Sequence, residues 1–183
     1  MKEEVPDMQG TVKMETERLI LRRHEPGDGQ ILHMRFGRDK EMYEYSGWNP
    51  YKTEEMAQET IRHFIDNYSN PCFYGWAIQF EGQLVGTIGA YDYKQNEDRI
   101  EVGISIVRGS WGKGFASEAL RRVIVYLTEE EGISVVTAWC AEENIGSRRA
   151  MEKAGMVQTS FEKGALTINE KTFGKLNFEY HAV

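Results

Sequence analysis

The stretch Arg99–Leu127, RIEVGISIVRGSWGKGFASEALRRVIVYL, carries the deciding pattern of this chain. Its first part alternates: Ile100, Val102, Ile104 and Ile106 fall on one face of a strand, and Glu101, Gly103 and Ser105 on the other. Its last part has helical spacing. Ala116, Ala119, Leu120, Val123, Ile124 and Leu127 recur at three- and four-residue steps, with Glu118, Arg121 and Arg122 turned the other way. Between the two lies Gly109–Ser117 (GSWGKGFAS), with three glycines in its first six residues. Glycine lets backbone N–H groups turn inward with no Cβ in the way. The helix that follows aims its unpaired first-turn N–H groups at the same point. Strand, glycine turn and helix together make an anion site suited to a phosphate or pyrophosphate, with Lys113 adding a cation nearby. The plainer alternative is a glycine turn that merely joins strand to helix.

Outward from this segment the chain changes character. Before it, Phe73–Phe80, Leu84–Tyr91 and Arg99–Val107 read as three strands, joined by a turn at Glu81-Gly82-Gln83 and a polar loop at Lys94–Asp98. Further back, Thr16–His24 is a first strand, Asp28 caps a short helix reaching Phe36, and Thr53 caps a second helix running to Ile65. Asn70-Pro71 breaks that helix. After the segment comes a strand at Val135–Cys140, then a helix of about ten residues capped by Asn144 and ended by Gly155 in a left-handed turn. Strands near Val157–Glu162 and Thr172–Tyr180 finish the chain. The order βααβββαβαββ predicts an α/β (α+β) fold: a mixed, mainly antiparallel central sheet of about seven strands with helices on both faces.

Composition narrows the function classes. At 183 residues the chain fits one domain, expected over 14–183 behind a flexible extension at 1–13. The longest run without Asp, Glu, Lys or Arg, Asn67–Phe80, is too short and too polar to span a membrane. Two cysteines, Cys72 and Cys140, make no disulfide framework and belong to no metal-ligand cluster; both are read as strand residues, not nucleophiles. No metal is expected, and a cytoplasmic setting is. The net charge of −7 works against nucleic acid and anionic membranes and suits a cationic partner.

The glycine loop fails the common phosphate motifs. A P-loop needs four residues between its first glycine and Gly-Lys, then Ser or Thr, whereas here Gly109 stands too near Gly112-Lys113 and Gly114 follows. A dinucleotide fingerprint is met only in part, by Gly112-x-Gly114-x-x-Ser117. Trp111–Ala119 instead resembles the acetyl-CoA signature of the GNAT superfamily of N-acetyltransferases, with Trp111 where Gln or Arg is usual. It is similar in particular to the RimJ/RimL-like branch. Glu15–Arg22 resembles that branch's first strand, Ile100–Gly103 a later one, and Asn144-x-x-Ser147 through Glu152-Lys153-Ala154-Gly155 its closing helix. The resemblance spans about 14–183.

It implies acetyl-CoA as co-substrate, held by Ile104 and Ile106 main chain, Gly112, Lys113, Gly114, Phe115, Ala116, Ser117 and Asn144. It implies Glu101 as general base, Ser147 as a candidate acid toward the departing thiolate, and Tyr43, Tyr45, Trp48 and Tyr51 as the acceptor border. Each has a plainer reading: a solvated glutamate, a helix cap, a hydroxyl bonded back to a carbonyl, aromatics packed on the core. Gly103 is a candidate bulge. The expected acceptor is an amine-bearing peptide or small molecule, preferably a peptide or protein N-terminal α-amine. A homodimer is an open expectation. A polyamine, aminoglycoside or amino acid acetyltransferase, a non-catalytic acyl-CoA sensor and a nucleotide-dependent oxidoreductase remain alternatives.

Overall fold

The computed structural model describes residues 7–183. The strands are β1 (Met14–Glu15), β2 (Leu19–Arg22), β3 (Tyr74–Phe80), β4 (Gln83–Lys94), β5 (Arg99–Ile106), β6 (Val135–Ala141), β7 (Val157–Ile168) and β8 (Lys171–His181). They form one sheet in the order β1-β2-β3-β4-β5-β6-β8-β7. Every neighbouring pair is antiparallel except β5 and β6, because α3 (Phe115–Val125) crosses over between them. The other helices are α1 (Asp28–Leu32), α2 (Glu54–Asn67) and α4 (Ile145–Lys153). This is the expected mixed sheet, with one two-residue strand more than the sequence pattern reveals.

Two adjacent residues of β3 fix which helix covers which face. Gly75 faces Phe64 of α2, and Trp76 packs its ring edge-on against Tyr126 just beyond α3. Successive strand residues point to opposite faces, so α2 and α3 lie on opposite sides of the sheet. Trp76, Phe36, Phe115, Tyr126 and Phe178 are among the largest fully buried side chains of the core. Burying each such side chain contributes roughly 1.5–3 kcal/mol, before the cost of ordering the chain.

Local signals hold at several ends. The Thr53 side chain accepts from Met56 N, the Asn144 side chain from Ser147 N, and Gly155 takes φ 94° after α4. Three expectations need correction. Asp28 is not a cap: it is the first residue of α1, and its buried carboxylate binds Arg22, His24 and Glu25 N. That helix also gives way to a π-helical turn at His33–Gly37. Cys72 sits in the turn before β3, not in a strand.

The extension expected at 1–13 lies partly outside the described residues, at 1–6. Residues 8–12 are packed down as a strap. Met8 is buried, Thr11 Oγ1 donates to Phe73 O and accepts from Gly75 N, and Trp76 Nε1 donates to Val12 O. The Glu131 carboxylate accepts from Gln9 N and from the phenol of Tyr74. The two Thr11 bonds satisfy Phe73 O and Gly75 N beyond the point where β2 stops pairing with β3, and the others tie the strap to side chains of β3 and Glu131.

Candidate active site

Two features of the central strands converge. β5 and β6 pair only through Arg99–Val135, Ile100–Val136 and Glu101–Thr137. Beyond Glu101 they part, so Val102–Ile106 and Ala138–Ala141 lie unpaired across a gap, with the Ile106 carbonyl taken by the Trp111 indole N–H at 2.7 Å. On its other edge β5 stays paired with β4, and β6 with β8, which holds the gap open.

The gap leads to the glycine loop. Gly112 takes φ 76° and Gly114 φ 81°, a left-handed conformation that costs an ordinary residue roughly 1–2 kcal/mol. Gly114 is the N-cap of α3 and carries no side-chain cap. Among the described residues, the N–H groups of Gly112 through Ser117 find no hydrogen-bond acceptor. Six N–H groups at a helix N-terminus, left unpaired at the surface, are an anion cradle.

The cradle is braced from the turn between β1 and β2. Arg18 Nη1 donates to Lys113 O at 2.9 Å, its Nε donates to Glu118 Oε2 at 2.7 Å, and its guanidinium lies 4.8 Å over the Phe115 ring. Thr16 Oγ1 adds a bond to Glu118. Burial alone would raise the Glu118 carboxyl, but the Thr16 and Arg18 hydrogen bonds outweigh it and hold the pKa below its usual value. On the far side Arg108 pairs with Asp39 and Glu41, tying the loop to the segment between α1 and α2. A groove of about 670 Å³ runs beside α3 from Gly114 and Ser117 past Arg121 and Arg122.

The sequence-predicted residues fall into place unevenly. Lys113 is exposed at the cradle, and Ile104 and Ile106 line the β5 side of the gap. Phe115 is buried against Phe80, so only its N–H faces the cradle; Ala116 packs on the core. The Ser117 hydroxyl donates to Gly114 O. Asn144 spends its side-chain oxygen as a helix cap. Ser147 is half-buried, and its hydroxyl makes no hydrogen bond among the described residues, so the expected bond back to a carbonyl is absent.

Glu101 lies on the sheet face opposite Ile100 and Val102, as alternation requires, at the last paired position before the gap. Gly103 is no bulge. It pairs in register with Gly89, and the irregularity of that ladder falls between Tyr91 and Lys94.

The four aromatics separate. Tyr51 is buried edge-on against Phe36, and burial, partly offset by a hydrogen bond with Thr87, pushes its phenol up to about 12. Tyr43 is half-buried with its hydroxyl unpaired in the interior. Tyr45 packs edge-on against Phe173 in a small apolar cluster with Ala141 and Ile168. Trp48 is 71% exposed. The segment carrying them therefore reaches across to the β7–β8 hairpin and to Ala141 at the end of β6.

The thiols offer no nucleophile at this place. Burial pushes Cys140 up to about 11, and Cys72 lies at the other end of β3. Among the described residues no three His, Cys, Asp or Glu side chains gather as metal ligands, and no helix is long and apolar enough to cross a membrane. Sequence reasoning missed Arg18, Tyr91 and Trp139. The Trp139 indole donates to Glu101 Oε1 at 3.1 Å from the neighbouring strand, a contact with no local signature.

Residues 18–157 match the family described as Acetyltransferase (GNAT) domain. The chain is 32% identical over 144 residues to the uncharacterized N-acetyltransferase YoaA of Bacillus subtilis, covering 78% of this chain and 81% of that protein. Among solved structures, a ribosomal-protein-S5-alanine acetyltransferase from Vibrio fischeri superposes with a TM-score of 0.82 at 16% identity, over 93% of this chain and 96% of that one. The ribosomal alpha-N-protein acetyltransferase RimL, in complex with coenzyme A, superposes with a TM-score of 0.81 at 14% identity, over 93% and 98%. At those identities the two structures share the fold.

Proposed function

Because the chain belongs to the GNAT family of acetyltransferases, we propose that its acetyl-CoA-dependent N-acetyl transfer is directed to the α-amine of a peptide or protein N-terminus. One observation supports the acetyl-CoA part of the reading: β5 and β6 part directly after Glu101, and the gap runs to the six unpaired N–H groups of Gly112–Ser117.

The fit to the co-substrate is chemical. The cradle offers N–H donors and the positive end of α3 to a pyrophosphate, and the edge of β5 left unpaired by β6 at Ile104 offers backbone groups to the amides of a pantetheine arm, while the Ile106 carbonyl is held by the Trp111 indole. When bound, acetyl-CoA supplies the thioester whose carbonyl carbon the amine attacks and whose carbon–sulfur bond breaks. Glu101 takes the proton that the amine loses, through water, and the protein holds the amine in line. Ser147, whose hydroxyl is uncommitted, is the residue assigned to return a proton toward the leaving sulfur. Tyr45 and Trp48 border the approach, while Tyr43 and Tyr51 support it from the core.

Acceptor chemistry favours the α-amine. Its pKa is near 7.7–8.0 against about 10.4 for lysine, so neutralising it at pH 7 costs about 1 kcal/mol and neutralising lysine about 4.6 kcal/mol. A half-buried glutamate acting through water meets the first cost far more easily. Thiol release measured across short peptides, polyamines, aminoglycosides and amino acids tests this. Turnover is expected to be fastest on a peptide. A polyamine or aminoglycoside outrunning every peptide would reject the acceptor and leave the acetyltransferase standing.

A further inference from the structure

The open sheet face around Glu101 holds two aromatic donors that the reading above does not use. Tyr91, on β4, sits directly across from Glu101 in the ladder and so on the same face. Its ring leans along β5 until the phenolic oxygen reaches Gly103: a Cβ built there would lie 2.6 Å from it, closer than atoms tolerate. On the other side, β6 brings the Trp139 N–H to Glu101 Oε1 at 3.1 Å. The Lys175 ammonium, 5.4 Å over the Trp139 ring, steadies that ring in turn.

We propose that Tyr91 and Trp139 are positioning residues that hold the Glu101 carboxylate from the two flanking strands, and that residue 103 is glycine because the Tyr91 phenol occupies the space of its side chain. The proposal rests on Glu101 being the base. Three lines of geometry agree with it. The two donors come from opposite sides, so together they fix the carboxylate plane. Both are rigid rings on strands, so they lose little freedom in doing so. And Glu101 stands at the last paired position before the gap, where a swing of its side chain would carry it away from the attacking amine. Partial burial first, then the charge of Glu101 and a hydrogen bond to it, also hold the Tyr91 phenol above its ordinary range, which already leaves it protonated at neutral pH.

The test uses Tyr91→Phe, Trp139→Phe and Gly103→Ala, each alone and each combined with Glu101→Gln, and Gly103→Ala also combined with Tyr91→Phe. Rates are read as thiol release from acetyl-CoA with the fastest amine of the acceptor panel. Each single variant is expected to lower kcat about 10- to 100-fold, the worth of a hydrogen bond to a charged group, with KM for acetyl-CoA unchanged. Gly103→Ala displaces the phenol without removing it, so combined with Tyr91→Phe it should be no slower than Tyr91→Phe alone. In the Glu101→Gln background all three should change kcat less than about twofold, since no base is left to position.

Wild-type kcat in both Tyr91→Phe and Trp139→Phe, beside an impaired Glu101→Gln, overturns the clamp alone. Full-sized effects that persist in the Glu101→Gln background overturn it too, in favour of a merely structural role. Wild-type kcat in Glu101→Gln overturns the base assignment and the clamp with it. If Trp139→Phe does not fold, Tyr91→Phe, on a ring 46% exposed, carries the same test.

Discussion

Replacing Gly114 by valine separates the two things its position does. The residue has φ 81°, so any L side chain pays the left-handed strain of roughly 1–2 kcal/mol. A Cβ there meets Arg18 Nη2 at 3.3 Å, which asks the guanidinium to give by a few tenths of an ångström. For a chain of this size 1 kcal/mol corresponds to about 2–4 °C, so the unliganded variant should melt about 2–8 °C lower and still fold. The second effect is on the ligand. The valine methyls stand over the N–H groups of Gly112–Ser117 and exclude a pyrophosphate. Wild-type protein at 100 times its acetyl-CoA Kd gains about 2.7 kcal/mol, a rise in Tm of about 5–10 °C. In Gly114→Val that rise should vanish. Gly132→Val is the matched control: its φ is 75° and its Cβ meets nothing within 4 Å, so it should carry the same strain and keep the whole ligand-induced rise. Differential scanning fluorimetry with and without acetyl-CoA reads all of this. An undiminished rise in Gly114→Val refutes the cradle, and loss of the rise in both variants refutes its local character.

Other outcomes follow from the same geometry. Glu101→Gln should lower turnover about 10²–10⁴-fold with acetyl-CoA affinity little changed, and raising the pH should recover part of the rate as more amine is neutral; steady-state kinetics across pH reads it. Burial alone would raise the Asp28 carboxyl, but hydrogen bonds from His24 and Arg22 outweigh it and leave the folded pKa well below the unfolded value of about 3.9. Asp28 therefore contributes stability that is complete above about pH 4 and is lost as the pH falls toward its depressed folded pKa. Asp28→Asn should cost about 3 kcal/mol at pH 7 and flatten the acid limb of a denaturation series. Asn144→Ala should cost about 1 kcal/mol by uncapping α4, seen in urea unfolding as a lower midpoint at unchanged slope.

The sequence by itself determined what depends on neighbours along the chain. Glycines at 112 and 114 mark left-handed turns, Thr53 and Asn144 mark helix starts, and the alternation of Ile100–Ile106 decides which face Glu101 takes. These are short-range signals, because φ preferences, caps and pleat depend on a few adjacent residues. Where that local alternation fails, so does the reading. β7 runs to Ile168 instead of stopping at Glu162, because nearly all its side chains are exposed and its pairing with β8 alone makes it a strand.

The tertiary structure decided everything set by register between distant segments. Residues 8–12 belong to the stretch expected as a flexible extension, yet Thr11 finds its partners 62 and 64 residues away. The Asp28 side chain, a plausible helix cap by position, is drawn instead to Arg22 and His24. The gap after Glu101 exists because the β5–β6 ladder ends there while β4 and β8 pull the two strands apart. The indole that donates to Glu101 comes from Trp139, 38 residues away, and the phenol ring across the ladder from Tyr91, 10 residues away. Chain-local chemistry places the glutamate on its face; only the alignment of three strands sets the rings around it.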